Sequence, residues 1–278
     1  MKFIAKAKIN LYLKIYNKRK NGYHNIRSRV TFLDLYDEIT ITKSKIKKNK
    51  IQYSGPFAPS SGKYKNDIII KLLNFLYTIE KKQFFLNIKI KKNIPNGSGL
   101  GGASANAASV MNYLRITKTI KSNVTNKDLV SVGSDVPMCL KSKNCSISGI
   151  GENIKYNFNP RNYYFLLIKP NYSLSTKKIY SKYKLSKNKR KLVNAVEINS
   201  STNDLEKIAI NLKPSLKIIL MTLSKLEYSF KVGMTGSGSC CYAMFKKLSD
   251  VKKAHKKLLL KYPQYWTHIA QNNYNKIK

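Results

Sequence analysis

A lysine near the start of the chain and an aspartate near its middle, Lys8 and Asp135, form the first candidate pair for chemistry. Transfer of a phosphoryl group to an alcohol requires the hydroxyl group to lie in line with the phosphate and its proton to be accepted. An aspartate, with an ordinary pKa of about 3.9, accepts that proton late, as the bond to phosphorus forms. A nearby lysine ammonium stabilises the negative charge, so the pair suits a small-molecule kinase.

Each member of this pair also has an ordinary interpretation. Asp135 stands two residues before Pro137, which is typical of a helix cap or a turn. Lys8 is one of many lysines in the chain. The pair therefore gains its weight from the other motifs in the sequence.

The densest glycine cluster, residues 97–102, lies within the sequence PNGSGLGGASANAA at residues 95–108. Glycines let backbone N–H groups approach an anion closely, and a helix that begins after them adds unpaired N–H donors. The cluster therefore predicts a di- or triphosphate site. The P-loop pattern is absent because no lysine follows the glycines, and no acidic residue near position 122 supports a dinucleotide-binding pattern. A flexible turn is the alternative for this cluster alone.

Two weaker motifs complete the set. Tyr23 and His24 follow the Asn21-Gly22 turn, and stacking by the tyrosine with hydrogen bonding by the histidine suits a nucleobase. Surface Tyr-His pairs are common, so this signal alone is weak. The turn TGSGS at residues 235–239 is rich in small residues and suits a close approach to phosphates, with an ordinary hairpin turn as the alternative.

The elements that must position these residues follow from hydrophobic periodicity. Residues 4–15 alternate and predict a half-buried strand that presents Lys8 and Asn10 side by side. Further strands are predicted over residues 27–32, 37–42, 84–90, 163–168 and 240–245. Helices are predicted over residues 68–79, after the glycine cluster, and near residues 216–230 and 250–262. Residues 43–50 and 182–191 read as charged loops, and residues 133–137 as a turn. This mixture predicts an α/β or α+β protein with a boundary near residue 150.

The composition leaves two interpretations of the charge open. The 278 residues include 53 Lys and Arg against 13 Asp and Glu, which gives a net charge of +40 and suits a nucleic-acid binder. However, arginine, the residue that reads bases bidentately, is scarce, and the lysines are spread along the whole chain. The abundance of Lys, Asn, Ile and Tyr favours codon drift toward A and T.

Cysteines and hydropathy predict a reducing, cytoplasmic setting. Cys139, Cys145, Cys240 and Cys241 have no zinc-binding or thioredoxin-like spacing, so we expect small buried thiols. Lysines interrupt the N-terminal apolar stretch, which disfavours a secretory signal. No run approaches the roughly 18–20 apolar residues that a membrane span needs.

In their order and spacing, these segments resemble the GHMP kinases, and within them the 4-diphosphocytidyl-2-C-methyl-D-erythritol kinase family. The superfamily motif P-x-x-x-G-L-G corresponds to residues 95–101. The sequences AKIN at residues 7–10 and GYH at residues 22–24 resemble this family in particular. Residues 133–137 and 235–239 complete the resemblance, which spans nearly the whole chain.

The resemblance implies a two-domain α+β fold. Residues 1–150 would form an N-terminal ATP-binding domain with a left-handed βαβ unit, against the usual rule, and the glycine-rich phosphate loop. Residues 151–278 would form a ferredoxin-like α/β sandwich whose last residues pack back on the first domain. The implied reaction moves the γ-phosphoryl group of ATP, carried with Mg²⁺, to the 2-hydroxyl of the cytidylated methylerythritol in the non-mevalonate isoprenoid pathway. The implied enzyme is a monomer or weak homodimer without nucleic-acid or membrane partners.

The resemblance also assigns roles to residues. Asp135 would be the base and Lys8 its electrostatic partner. The substrate would be held by Asn10, Tyr23, His24, Thr176 and Tyr180. The ATP phosphates would be held by Pro95, Gly97, Ser98, Gly99, Leu100, Gly101, Gly102, Ala103, Ser104 and Asn106, and bordered from the second domain by Gly236, Ser237 and Gly238. No protein ligand set for a metal is expected.

Two alternatives stay open at this point. A homoserine or mevalonate kinase of the same superfamily gives no reason for the Gly-Tyr-His motif or for a second aromatic residue at Tyr180. A basic nucleic-acid-binding protein that has lost catalysis is disfavoured by the scarce arginine and by the intact pair of Lys8 and Asp135.

Overall fold

A computed structural model describes residues 1–59, 67–183 and 203–272. The predicted loop at residues 182–191 lies almost wholly outside this part. The strands are β1 Lys2–Lys18, β2 His24–Lys43, β3 Lys50–Ser54, β4 Leu86–Lys91, β5 Cys145–Gly149, β6 Asn153–Lys155, β7 Tyr164–Lys169, β8 Lys231–Met234, β9 Cys241–Phe245 and β10 Trp266–Gln271. The helices are α1 Ile68–Glu80, α2 Gly102–Ile116, α3 Asn126–Leu129, α4 Val136–Cys139, α5 Thr176–Ser181, α6 Glu206–Leu212, α7 Ser215–Ser224 and α8 Leu248–Lys261.

The first sheet has the order β3-β4-β2-β5-β6, and β1 pairs antiparallel with β2 along its length. The prediction of a half-buried β1 is wrong, because both faces of this strand are covered. Lys8 and Asn10 are 2% and 5% exposed. Helix α2 packs against β1, while Ile9 and Leu11 belong to a core cluster shared with strands of the second sheet. The alternation of residues 4–15 therefore separates two buried faces.

The two strands predicted over residues 27–32 and 37–42 are one continuous strand, β2. Residues 33–36 contain neither glycine nor proline, so nothing breaks the extended backbone between them. Leu33 and Leu35 are buried in the same cluster as Ile9. The long strand therefore serves both the first sheet and the contact between the sheets.

A parallel unit, β3–α1–β4, fills the edge of the first sheet. Helix α1 begins where periodicity predicts, and the side chain of Asp67 accepts a hydrogen bond from the backbone N–H of Ile69 at 2.7 Å, which caps it. Strand β3 is too short and too polar to have been predicted. The handedness of this βαβ unit stays a prediction.

The second sheet has the order β10-β7-β9-β8 with antiparallel neighbours throughout. Helices α7 and α8 pack on it, which gives the βαββαβ pattern of a ferredoxin-like sandwich and confirms that prediction. Helix α7 ends at Ser224, six residues earlier than predicted. Phe165 and Tyr242 of this sheet join the cluster shared with β1.

The first sheet ends at Lys155 and the second begins at Tyr164, while the domain division near residue 150 stays a prediction. At the far end of the described chain, the backbone N–H of Gln271 donates to Asp34 of β2 at 2.8 Å. All four cysteines are buried and unpaired. Within the described ranges, no helix is long and apolar enough to cross a membrane.

Candidate active site

A cleft of about 310 Å³ lies where the two sheets meet. Strand β1, the glycine loop before α2, the start of α4 and the turn between β8 and β9 supply its walls. The sequence-predicted residues that line it are Lys8, Asn10, Pro95, Gly97, Ser98, Gly99, Gly101, Gly102, Ala103, Ser104, Asp135, Thr176, Gly236, Ser237 and Gly238. We call residues 97–104 and 236–238 with Lys8 and Asp135 the glycine end, and Tyr23, His24 and Tyr180 the aromatic end.

Lys8 and Asp135 form an ion pair, with 3.2 Å between Nζ of the lysine and Oδ2 of the aspartate. The Lys8 side chain is almost fully buried, whereas that of Asp135 is 32% exposed to the cleft. Nζ of Lys8 also donates to Oδ1 of Asn10 at 2.6 Å. A buried ammonium needs such partners because burial removes its hydration. The exposed carboxylate is therefore held by a fixed charge and stays accessible to a ligand.

The geometry separates the two interpretations of Asp135. This residue occupies the N-cap position of α4, as the sequence suggests, but its side chain makes no capping hydrogen bond. The carboxylate points instead to Lys8. A role as an ordinary helix cap is therefore disfavoured. The predicted turn at residues 133–137 becomes a one-turn helix from Val136 onward.

Three glycines give the loop before α2 its shape. Gly97, Gly99 and Gly101 have φ angles of +60°, +77° and +76°, which side-chain-bearing residues rarely adopt. A Cβ atom at Gly99 would lie 2.3 Å from the carbonyl oxygen of Thr235, and one at Gly101 would lie 2.9 Å from Cγ of Lys8. The loop therefore requires glycine both for its conformation and for its close contacts.

Helix α2 begins directly at the cleft. Its N-cap, Gly101, provides no side-chain acceptor, so the N–H groups of the first turn have no side-chain cap. Gly102, Ala103 and Ser104 of this turn line the cleft. Unpaired N–H groups and the positive end of the helix dipole fit the phosphates of a nucleotide.

Two predicted phosphate-binding residues do not reach the cleft surface. Leu100 is fully buried in the cluster between the sheets, and its carbonyl oxygen accepts the backbone N–H of Lys8 at 2.9 Å. Asn106 lies in the second turn of α2 and is 3% exposed. Its Oδ1 has no hydrogen-bond partner. Leu100 shapes the loop from behind.

The turn at residues 235–239 lies against the glycine loop, as its small residues suggest. Thr235 Oγ1 accepts the backbone N–H of Asn10 at 3.2 Å and donates to the carbonyl oxygen of Gly99 at 3.3 Å. The hydroxyl groups of Ser237 and Thr176 are 2.8 Å apart. The glycine end is therefore a single hydrogen-bonded unit built from both sheets.

The aromatic end lies beside the cleft and outside its lining. The rings of His24 and Tyr180 are in contact, with centroids 5.6 Å apart and planes tilted by 37°, so the structure brings these two predicted residues together. Burial raises the pKa of Tyr180, and the nearby charge of Asp135 raises it further. Tyr23 is 41% exposed. The sequence missed Tyr183, whose ring meets that of His24 edge-on at 5.9 Å.

The sequence also missed a buried ion pair at the proline end of the loop. Lys92, which lines the cleft, pairs with the fully buried carboxylate of Asp37. The same carboxylate accepts the backbone N–H groups of Asn93 and Ile94, each at 2.8 Å. No spacing rule reveals this contact, because 55 residues separate the partners.

Among the described residues that line the cleft, Asp135 is the only acidic one. In the described part of the chain, no group of three or more His, Cys, Asp and Glu side chains could hold a metal ion. That the protein supplies no metal ligand set stays a prediction.

Comparisons with known proteins agree with this architecture. Family models for the GHMP kinases N-terminal domain and the GHMP kinases C-terminal domain match residues 67–150 and 185–264. A 4-diphosphocytidyl-2-C-methyl-D-erythritol kinase of Pelagibacter ubique is 37% identical over 94% of both chains. One of Ruthia magnifica is 34% identical over 98% of this chain and 95% of its own.

A solved structure of a 4-(cytidine 5'-diphospho)-2C-methyl-D-erythritol kinase superposes with a TM-score of 0.72, covering 98% of this chain and 100% of its own. At 22% identity, this likeness shows a shared fold. The sequence relatives, at 34–37% identity, identify the family within the GHMP kinases. The chain therefore belongs to the GHMP kinases and, within them, to the 4-diphosphocytidyl-2-C-methyl-D-erythritol kinase family.

Proposed function

We propose that this chain transfers the γ-phosphoryl group of ATP to the 2-hydroxyl of 4-diphosphocytidyl-2-C-methyl-D-erythritol, a reaction of isoprenoid precursor synthesis. The observation that carries the proposal is the ion pair of Lys8 and Asp135, set beside a glycine loop whose backbone fits phosphates. The relatives named for this activity span almost the whole chain.

The proposed mechanism places one task on each part of the glycine end. Residues 97–104 and 236–238 would bind the ATP phosphates through backbone N–H groups. Asp135 would accept the proton of the attacking hydroxyl, and Lys8 would stabilise the charge that develops beside it. Asn10, already fixed by Lys8 and by Ser28, would orient the polar groups of the acceptor. Mg²⁺ would arrive with ATP and neutralise phosphate charge.

The aromatic end would bind the cytosine of the acceptor. Burial and the charge of Lys18 lower the pKa of His24, so its ring is uncharged at neutral pH. A neutral ring nitrogen can accept the amino N–H of cytosine. Tyr23 and Tyr180 would stack on the base, and Thr176 would contact the acceptor near Ser237.

The experiment that tests this function is ADP release by the purified protein with Mg²⁺ and ATP. The acceptors to compare are the cytidylated methylerythritol, homoserine and mevalonate. Turnover with the cytidylated acceptor alone is the expected result. Turnover with homoserine or mevalonate instead, or with none of the three by a folded protein that binds ATP, would overturn the proposal.

Four broader features belong to the same proposal: the domain division, the location, the partners and the oligomeric state. The domains would divide near residue 150, close to the change from the first sheet to the second. The enzyme would act in the cytoplasm without nucleic-acid or membrane partners, as a monomer or weak homodimer. Sedimentation at several protein concentrations and salt concentrations tests the oligomeric state.

A further inference from the structure

We infer that Asn203 is a positioning residue for phosphoryl transfer, because its side-chain amide fixes the turn at residues 235–239 relative to strand β1. This residue lies outside every motif discussed above. It precedes α6 and does not itself line the cleft, but it contacts the lining residue Gly236. The inference rests on the proposed function, since it assigns a part of the same reaction site.

The side chain of Asn203 uses both of its donors and accepts one hydrogen bond. Its Nδ2 donates to the carbonyl oxygen of Met234 at 2.8 Å and to that of Gly236 at 2.7 Å. Its Oδ1 accepts the backbone N–H of Leu205 at 3.0 Å. Two donors and one acceptor are thus matched to three backbone groups. Only an amide of this length presents that combination, because a carboxylate has no donor.

The backbone of the same segment is tied to the strand that carries Lys8. Asn203 forms a parallel bridge with Leu13 of β1, and the N–H of Asp204 donates to the carbonyl oxygen of Leu13 at 2.9 Å. The carboxylate of Asp204 accepts the N–H of Ile15 at 2.9 Å. Asn203 therefore connects β1 directly to the turn.

On the side away from Asn203, the turn at residues 235–239 packs closely against the glycine loop and Lys8. A Cβ atom on Gly236 would lie 3.2 Å from the carbonyl oxygen of Gly99 and 3.3 Å from Nζ of Lys8. Glu206 supports the end of β8 that leads into the turn, since its Oε2 accepts the N–H of Met234 at 3.1 Å. Release of the carbonyl of Gly236 would therefore change the distance from the turn to Lys8.

The variant Asn203→Asp tests this inference, because it keeps the shape of the side chain and replaces two donors with acceptors. The carboxylate would face the carbonyl oxygens of Met234 and Gly236 and repel them. Misplacement of reacting groups by about 1 Å costs about 10²-fold in rate. We expect kcat to fall by about that factor, with the KM for the cytidylated acceptor unchanged. Asn74→Asp, which adds the same charge at an exposed position of α1, is the matched control.

A pH profile provides a readout that a merely structural role would not move. A protonated carboxyl group can donate to one of the two carbonyl oxygens, whereas a carboxylate cannot. The kcat of Asn203→Asp relative to that of the wild type should therefore rise as pH falls. The same ratio for Asn74→Asp should stay constant.

The outcomes are separable from those of the proposed function. If the wild type is active, turnover per folded molecule decides: equal values for Asn203→Asp and Asn74→Asp overturn the inference, even if the melting temperature falls. If the wild type has no turnover with the cytidylated acceptor, the proposed function fails, and the Kd for ATP decides instead. A weaker affinity in Asn203→Asp than in Asn74→Asp supports the inference and equal affinity overturns it. Should Asn203→Asp not fold, Asn203→Ala carries the comparisons of turnover and of Kd, with Asn74→Ala as its control.

Discussion

The glycine end of the site is held together mainly by backbone contacts, whereas the aromatic end is held together by contacts between side-chain rings. At the glycine end, the glycine loop and the turn meet through their backbones, since the N–H of Cys240 donates to the carbonyl oxygen of Ser98 at 3.1 Å, and Lys8 is almost fully buried. At the aromatic end, the contacts are between rings, and Tyr23 is 41% exposed. An exposed ring can be removed by substitution without displacing the backbone around it. A side chain added where two backbone segments touch forces those segments apart. We therefore expect substitutions at the glycine end to reduce kcat and substitutions at the aromatic end to raise the KM of one substrate.

The largest effect should come from Asp135→Asn at the glycine end. Loss of the proposed base should lower turnover by about 10²–10⁴-fold, while the Kd for ATP is retained. The measurement is steady-state ADP release, with ATP affinity by calorimetry. Asp250→Asn on α8, outside the cleft lining, is the control. Full turnover by Asp135→Asn would remove the base from the mechanism.

The next effect should come from Gly99→Ala, which tests whether the loop depends on close backbone contact. Its Cβ would lie 2.3 Å from the carbonyl oxygen of Thr235, so the loop and the turn must separate. We expect a loss in kcat of about 10²-fold by misplacement of the phosphates. Gly22→Ala is the matched control, because Gly22 also has a positive φ, +85°, but no atom lies within 4 Å of its added Cβ. Similar kcat values for the two variants would show that strain, and not contact, governs the loop.

A smaller and more selective effect should come from Tyr23→Ala at the aromatic end. Base–aromatic stacking contributes about 1–3 kcal/mol by alanine substitution, so the KM for the cytidylated acceptor should rise about tenfold. The KM for ATP should not change. Tyr228→Ala, which removes a more exposed ring, 62% accessible, away from the site, is the control. A parallel rise in both KM values would mean that Tyr23 supports the fold and not the base.

The smallest effect concerns pH. Burial and Lys18 lower the pKa of His24, so the ring becomes protonated only at a pH below its ordinary value of 6.5. Protonation removes the ring acceptor proposed for cytosine, and one hydrogen bond contributes about 0.5–1.5 kcal/mol. The KM for the cytidylated acceptor should therefore rise a few-fold as pH falls from 7 to 5.5.

His24→Asn is the variant that isolates this effect, because its amide does not titrate in this range. The dependence of that KM on pH should disappear in this variant. If the same dependence persists, another group is responsible and His24 does not contact the base.

The difference between the two ends also explains what could be predicted from sequence. The glycine loop, helix α2 and Asp135 are local, because their glycines, N-cap position and helix start lie within short segments. The pairing of Lys8 with Asp135 follows from the family resemblance and from no local rule. The local elements and the pairing of Lys8 with Asp135 could therefore both be predicted before the structure was known.

Contacts between distant segments could not be predicted in this way. Nothing in the sequence around Asp37 indicates its ion pair with Lys92, because the two residues are 55 positions apart. Asn203 and the carbonyl of Gly236 are likewise 33 residues apart. The full burial of β1 depends on a second sheet whose position no periodicity encodes. The alternation of residues in a strand shows which side chains share a face. Whether that face is buried depends on which other elements pack against it.

The burial of β1 between two sheets has a consequence for synthesis on the ribosome. The hydroxyl of Tyr242 donates to the carbonyl oxygen of Asn10 across 232 residues, so the strand with Lys8 is made first and its cover is made last. At a translation rate of about 5–20 residues per second, the delay is roughly ten to fifty seconds. During that time the apolar face of Ile9 and Leu11 lacks its native partners from the second sheet. The strand that carries the proposed catalytic lysine is thus also a segment of the nascent chain that needs protection from aggregation until the second sheet is made.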